Sequence, residues 1–257
     1  SHAADGYARS TGKTGVVLAT SGPGATNLVT GIATAYMDSI PMVIITANVA
    51  NSLIGRDAFQ ETCITGITFP VTKHSYFVNR TDELADALRN AFRIANEGRK
   101  GPVLVDITKD ITGATVDYQP APNCELKKVQ QEELDKKIAS FAKYINKAEK
   151  PVLYLGGGVI ASEASEEVMR LMEKADIPAV NSMMAAGAVP VTDDRSFGML
   201  GMHGSYAANK CIAEADLVLA VGTRFSDRVA LNPKKFASKA KILQIDIDKS
   251  EAVSYTH

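Results

Sequence analysis

Cysteine is scarce in this sequence, with only Cys63, Cys124 and Cys211 among 257 residues. Their odd number and wide spacing exclude a disulfide framework and lack the paired spacing of a structural metal site. A reducing, cytoplasmic compartment fits that usage. Excess charge is missing too: 28 Lys and Arg against 29 Asp and Glu leave a net charge of −1. Such a balance offers no field to draw the chain to nucleic acid or an anionic membrane, so neither is expected as a partner. No apolar run is long enough to span a bilayer, and no targeting segment, solenoid repeat or low-complexity tract is visible. An initial Met is also lacking, and Ser1-His2-Ala3-Ala4-Asp5 reads as helix interior. At the other end only a short tail follows the strand-like run Ile242–Asp248, so a piece of a longer protein is expected.

What is present is a hydrophobic content of 46%, enough at this length for a sizeable core and two ordinary domains. Gly15–Thr20, Met42–Ala47 and Val103–Ile107 are short, rich in Val and Ile and bounded by Gly or Pro, as buried parallel strands are. Asp82–Asn96 carries Leu84, Ala85, Leu88, Phe92 and Ala95 at helical spacing, with Thr81 placed as N-cap and Gly98 just past the end. Residues 119–130, with Pro120, Pro122 and Asn123, break every periodicity and read as a linker. The alternation restarts in 131–257: helix Leu134–Asn146, strand Pro151–Leu155, helix Ser165–Ala175, then strands Ala179–Asn181, Leu217–Val221 and Ile242–Ile247. The predicted fold class is α/β, with two doubly wound, mostly parallel three-layer domains at 1–118 and 131–257.

Two glycine turns stand out. Thr20-Ser21-Gly22-Pro23-Gly24-Ala25-Thr26-Asn27 leaves an apolar strand and enters the helix-compatible Leu28–Tyr36. Glycine there lets backbone approach a ligand closely; the alternative is a tight turn with no ligand. Gly156-Gly157-Gly158 puts bare backbone after the strand ending at Leu155, where open α/β sheets bind dinucleotides, although the full Gly-x-Gly-x-x-Gly fingerprint is absent.

His2-Ala3-Ala4-Asp5-Gly6-Tyr7-Ala8-Arg9, Ser21–Asn27 and Asp57-Ala58-Phe59-Gln60-Glu61 resemble the pyrimidine-binding domain of thiamine-diphosphate enzymes. Leu200-Gly201-Met202-His203-Gly204 and Gly222-Thr223-Arg224-Phe225-Ser226-Asp227-Arg228 resemble the FAD-binding middle domain of the acetolactate synthase group within that superfamily. The resemblance runs the whole chain. It implies that 1–118 is a pyrimidine-binding domain in which Pro23 and Asn27 flank the thiamine diphosphate pyrimidine and Gln60 reaches toward the reactive centre. A helix-starting Asn27 and a surface Gln60 are the plain alternatives. Phe59 is implied as a substrate-pocket wall or an ordinary core aromatic, and Lys109 as a cation near the entrance or a solvated lysine.

For 131–257 the resemblance implies an FAD site of Gly156, Gly157, Gly158, Ser182, Met183, Leu200, Gly201, Met202, His203, Gly222, Thr223, Arg224, Asp246 and Ile247, completed by Arg99. Arginine suits a diphosphate because its fork gives directed, charge-assisted hydrogen bonds. His203 reads as a packing or flavin hydrogen-bonding residue in preference to an acid or base. Arg228 would pair with the carboxylate of a second 2-ketoacid, unless it forms a surface ion pair, and Met202 would shape that acceptor pocket. Two positions depart from the family: Met184 stands where a flavin-contacting Gln is usual, so that contact is not expected, and Ala50 stands where Pro is frequent near the inhibitor site, so altered inhibitor sensitivity without loss of activity is expected. The family's catalytic Glu and its Mg2+-binding motif have no counterpart, and neither Asp5 nor Glu61 replaces the Glu, so the chain alone is expected to be inactive.

The implied reaction decarboxylates pyruvate and joins the remaining fragment to pyruvate or 2-ketobutyrate, the first common step of branched-chain amino acid synthesis. The flavin would be structural, since no net redox occurs. A homodimer or homotetramer and a small regulatory subunit are the implied partners. The rival readings are another FAD-bearing carboligase, a pyruvate oxidase, or a non-catalytic FAD-binding module.

Overall fold

The computed structural model describes residues 1–120 and 131–251, with side chains from residue 134 onward in the second stretch. Most of the expected linker, from residue 121, lies outside the described residues. The chain divides into two compact units, Ser1–Leu126 and Lys127–His257. Among the described residues no helix is long and apolar enough to cross a membrane.

In the first unit β1 (Gly15–Ala19), β2 (Met42–Asn48), β3 (His74–Val78) and β4 (Pro102–Thr108) form a parallel sheet in the order β1-β2-β4-β3. Successive residues of β2 and β4 point to opposite faces, and because both are apolar each face needs a cover. Met42, Ile44 and Leu104 pack with Ala4, Ile32 and Ala35 from helices His2–Thr11 and Val29–Asp38. Val43, Val103 and Val105 pack with Ala87, Ala91 and Ala95 from helix Leu84–Asn96. The result is three layers.

The structure corrects three local expectations here. Thr81 is not the helix cap: Thr81–Glu83 form a 3-10 turn, and the α-helix begins at Leu84 with no side-chain cap bond. The single helix expected over Leu28–Tyr36 is preceded by a separate turn of helix, Pro23–Thr26, begun by a proline whose missing N–H is no loss in a first turn. β3 was not expected, because His-Ser-Tyr-Phe-Val is an edge strand with only Val78 fully buried and so lacks an apolar run.

In the second unit β5 (Pro151–Leu155), β6 (Ala179–Asn181), β7 (Ser196–Met199), β8 (Leu217–Val221) and β9 (Lys241–Ile245) lie parallel in the order β7-β6-β5-β8-β9. The chain winds outward from β5 in one direction, then returns to wind outward from β8 in the other. Val168 and Met172 of helix Ser165–Ala175 cover one face with Leu153, Leu217 and Leu219. Ala208 and Ile212 of helix Tyr206–Glu214 cover the other with Tyr154, Val180 and Val218. The last strand ends earlier than expected, at Ile245, leaving Asp246 and Ile247 just beyond its carboxyl end.

Candidate functional site

Ligands of open parallel sheets bind beyond the carboxyl ends of the strands, which makes each unit's carboxyl edge its candidate site. After β1 the chain turns at Gly22, φ +60, into Pro23–Thr26. A Cβ on Gly22 would sit 2.8 Å from Gln60 Cβ and 3.0 Å from Gln60 Cα, so only glycine allows this approach. Gln60 itself holds φ +59 and Asp57 φ +54, a left-handed backbone that non-glycine residues avoid and that clusters at functional sites. Glu61 fastens this loop: its carboxylate accepts from the N–H groups of Gly55 and Ala58, the latter at 2.9 Å. Those backbone donors hold the Glu61 carboxyl below the usual carboxylate range.

The structure therefore brings Gln60 onto the glycine turn, with Pro23 and Asn27 exposed beside it on the same turn. Phe59 is 88% exposed, which removes the core-aromatic alternative. Lys109, exposed, begins the short helix after β4 and donates its backbone N–H to Val49 O at 3.4 Å. Ala50 has φ −58, a backbone that proline would also adopt. Arg99 donates from Nε to Ser39 Oγ at 2.8 Å.

One residue of this edge was missed by sequence reasoning. Asp106, in the middle of apolar β4, is 1% exposed. Its two carboxylate oxygens accept from Thr46 Oγ1 and Asn48 Nδ2, each at 2.6 Å. Burial pushes its pKa up, against the lowering effect of those two bonds. A lone acid inside Val-Leu-Val-Asp-Ile was the available signal.

In the second unit the glycines interlock. Gly156 N–H donates to Val221 O and Gly158 N–H to Gly222 O, both at 2.9 Å. A Cβ on Gly156 would overlap Gly222 O and Thr223 Cα, and one on Gly158 would lie 2.6 Å from Gly222 Cα. The expectation that all three glycines lay backbone bare for a ligand is corrected: Gly156 and Gly158 are glycine because β5 and β8 meet Gly222 and Thr223 there. Gly157 instead faces Met184, whose Cβ would be 3.0 Å from a Gly157 Cβ. This meeting of β5 and β8 is where the strand order reverses.

The remaining expected residues line the same edge. Ser182 N–H donates to Leu155 O at 2.8 Å, and Met183 beyond it is exposed. Leu200 is buried, and its N–H donates to Asn181 O at 2.9 Å. Gly201, φ +103, lets the chain pass Arg228 O, which accepts from Met202 N–H at 2.8 Å; His203 follows, exposed. Thr223 is buried and Arg224 half-buried, with Arg224 O accepting from the Tyr154 hydroxyl at 3.5 Å. Arg228 is 66% exposed, its Nε 3.9 Å from Asp227 Oδ2. Asp246 accepts from Asp248 N–H at 2.9 Å, and Ile247 is exposed. Met183, Met202 and Ile247 are all exposed along this edge. Among the described residues no group of three His, Cys, Asp or Glu is placed to hold a metal ion.

Residues 1–67 match the model of the thiamine pyrophosphate enzyme N-terminal TPP binding domain, and residues 138–256 that of the thiamine pyrophosphate enzyme central domain. The chain belongs to the thiamine pyrophosphate enzymes. Within them it is similar to the acetolactate synthase of Arthrospira platensis, 49% identical over 257 residues, and to that of Mycobacterium leprae, 48% identical over 258. It is also similar to the acetolactate synthase large subunit of Haemophilus influenzae, 47% identical over 251 residues. These matches cover 97%, 100% and 96% of the chain but only 44%, 41% and 44% of the relatives, so the chain spans less than half their length.

Proposed function

We propose that this chain supplies the pyrimidine-binding and flavin-binding units of an acetolactate synthase. The observation that carries the reading is the seating of Gly22 against Gln60, both within the segment matched to the thiamine pyrophosphate binding domain. The relatives' common name adds the reaction.

The residues present fit the cofactors. Asn27 and Gln60 are neutral amides able to donate to and accept from an aminopyrimidine, on a turn with no room for a side chain at Gly22. Thiamine diphosphate, once bound together with a divalent metal held by residues outside this chain, would supply the nucleophilic carbon for decarboxylation of a 2-ketoacid. Pro23 and Asn27 hold the ring, and the Gln60 amide orients the reacting acid. Phe59 and Lys109 stand at the mouth of that site.

In the second unit FAD would be held by residues of the carboxyl edge. Arg224 pairs with its diphosphate and Asp246 accepts from a ribose hydroxyl, while Met183, Met202, His203 and Ile247 pack on its rings. Arg228 binds the carboxylate of the second 2-ketoacid, a task for a fork-shaped donor that cannot lose its charge. Met202, held by its N–H to Arg228 O, bounds the space for the acceptor side chain. Two pyruvates give 2-acetolactate and carbon dioxide; 2-ketobutyrate as acceptor gives the homologue one carbon longer. The working protein is cytoplasmic, assembles as two or four copies and takes a small regulatory subunit.

The test is add-back to the full-length gene product stripped of cofactors. Pyruvate consumption should return only with thiamine diphosphate and a divalent metal, with acetolactate and carbon dioxide appearing in step and FAD staying oxidised. Peroxide or acetyl phosphate instead would make it an oxidase, and no turnover would leave a non-catalytic module.

A further inference from the structure

We infer that Asp106 is a positioning residue: its carboxylate orients the Asn48 amide, and through it the turn at Val49 that holds Lys109 at the rim of the first unit. The link to catalysis rests on the acetolactate synthase reading; the structural link does not.

A buried acid in a central strand is costly, and an apolar residue would suit β4 better unless the acid has a task. Here each carboxylate oxygen takes one donor, Thr46 Oγ1 and Asn48 Nδ2, at 2.6 Å. Because Asn48 commits its Nδ2 to Asp106, its Oδ1 is turned the other way and accepts from Val49 N–H at 2.8 Å. Val49 O in turn accepts from Lys109 N–H. The chain of contacts thus runs from β4 to β2 and back to the residue just after β4. A second tie supports the same turn, Asn51 N–H to Asp110 Oδ1 at 3.0 Å. Thr46, Asn48 and Asp106 are all buried, yet none belongs to the apolar clusters that cover the sheet.

Three variants of the full-length gene product test this. Asp106→Val suits a strand but leaves Asn48 with no acceptor. Asn48→Ala cuts the next link. Asp106→Asn keeps an acceptor for Asn48 by turning its own amine to Thr46, whose hydroxyl can accept. Hydrogen exchange at Val49 and Lys109 should quicken roughly tenfold in the first two, the size of one charge-assisted hydrogen bond, and stay near native in Asp106→Asn. Amides of helix Leu84–Asn96 should not change in any of them. In the same two variants the KM for pyruvate should rise several-fold with kcat little changed.

Unchanged exchange at Val49 and Lys109 would overturn the inference, as would equal loosening in Asp106→Asn. If Asp106→Val does not fold, Asn48→Ala and Asp106→Asn decide by the same criteria. Quickened exchange with an unmoved KM would overturn the catalytic link. Absence of pyruvate turnover in the unaltered protein would instead defeat the acetolactate synthase reading, while the exchange data still judge the latch.

Discussion

The two carboxyl edges are held in place by different physics. In the first unit the loops are tied by side-chain carboxylates: Asp106 to β2, Glu61 to the loop before Gln60, Asp110 to Asn51. In the second the loops after β5, β7 and β8 are pressed together as bare backbone, with Gly158 against Gly222 and Gly201 against Arg228 O. Carboxylate ties respond to pH and to the loss of single atoms, because their strength depends on charge and on each donor. Glycine interlocks respond to volume alone, since a methyl group either fits or displaces backbone. The edge assigned to thiamine diphosphate thus adds carboxylate ties to its Gly22–Gln60 contact, whereas the edge assigned to the flavin depends mainly on glycine packing.

The contrast can be broken most sharply at Gly156. Gly156→Ala places a methyl group against Gly222 O and Thr223 Cα, neither of which can swing away. It should destabilise the second unit by more than about 3 kcal/mol, read by denaturant unfolding. A loss under about 1 kcal/mol would show that the interlock yields. Gly22→Ala comes next. Its φ of +60 and the 2.8 Å approach to Gln60 Cβ should cost about 2 kcal/mol, with weakened thiamine diphosphate binding and flavin retained. Equal loss of both cofactors would erase the division between the edges.

Asp106→Asn sharpens the pH side. A carboxyl pKa raised by burial means that the folded chain keeps its proton at pH values where the unfolded chain has lost it. Asp106 therefore lowers stability as pH rises from the unfolded value, about 4, through the raised folded one. The Asn variant should lack that decline, so its advantage over the native chain should grow across that window and then level off. Parallel pH profiles for the two proteins would contradict this. The second unit offers no comparable buried carboxylate among its described residues.

These differences explain what could be read from the sequence. The core strands were legible because runs such as Val152–Leu155 and Leu217–Val221 are buried on both faces and so are apolar throughout. β3 and β7 were not, since His74–Val78 and Ser196–Met199 are edge strands with polar or glycine positions. The glycine triplet was visible, but its cause was hidden: the partner of Gly158 is Gly222, far along the chain. Asp106 disappeared into its apolar strand for the same reason, as its donors lie on β2. Phe59, Met202 and Arg228 are exposed loop residues without periodicity, and only the family resemblance singled them out.

The smallest structural effect is expected at Arg228, whose side chain is 66% exposed and lies 3.9 Å from that of Asp227, and it gives the most direct test of the proposed chemistry. The measurement is the ratio of acetolactate to carbon dioxide formed from pyruvate by the full-length gene product and its Arg228→Ala variant. With Arg228 binding the acceptor carboxylate, the variant should fold as the native protein does and release carbon dioxide well in excess of acetolactate. A ratio unchanged from the native protein would contradict the acceptor role, and absence of acetolactate from the native protein would contradict the proposed function itself.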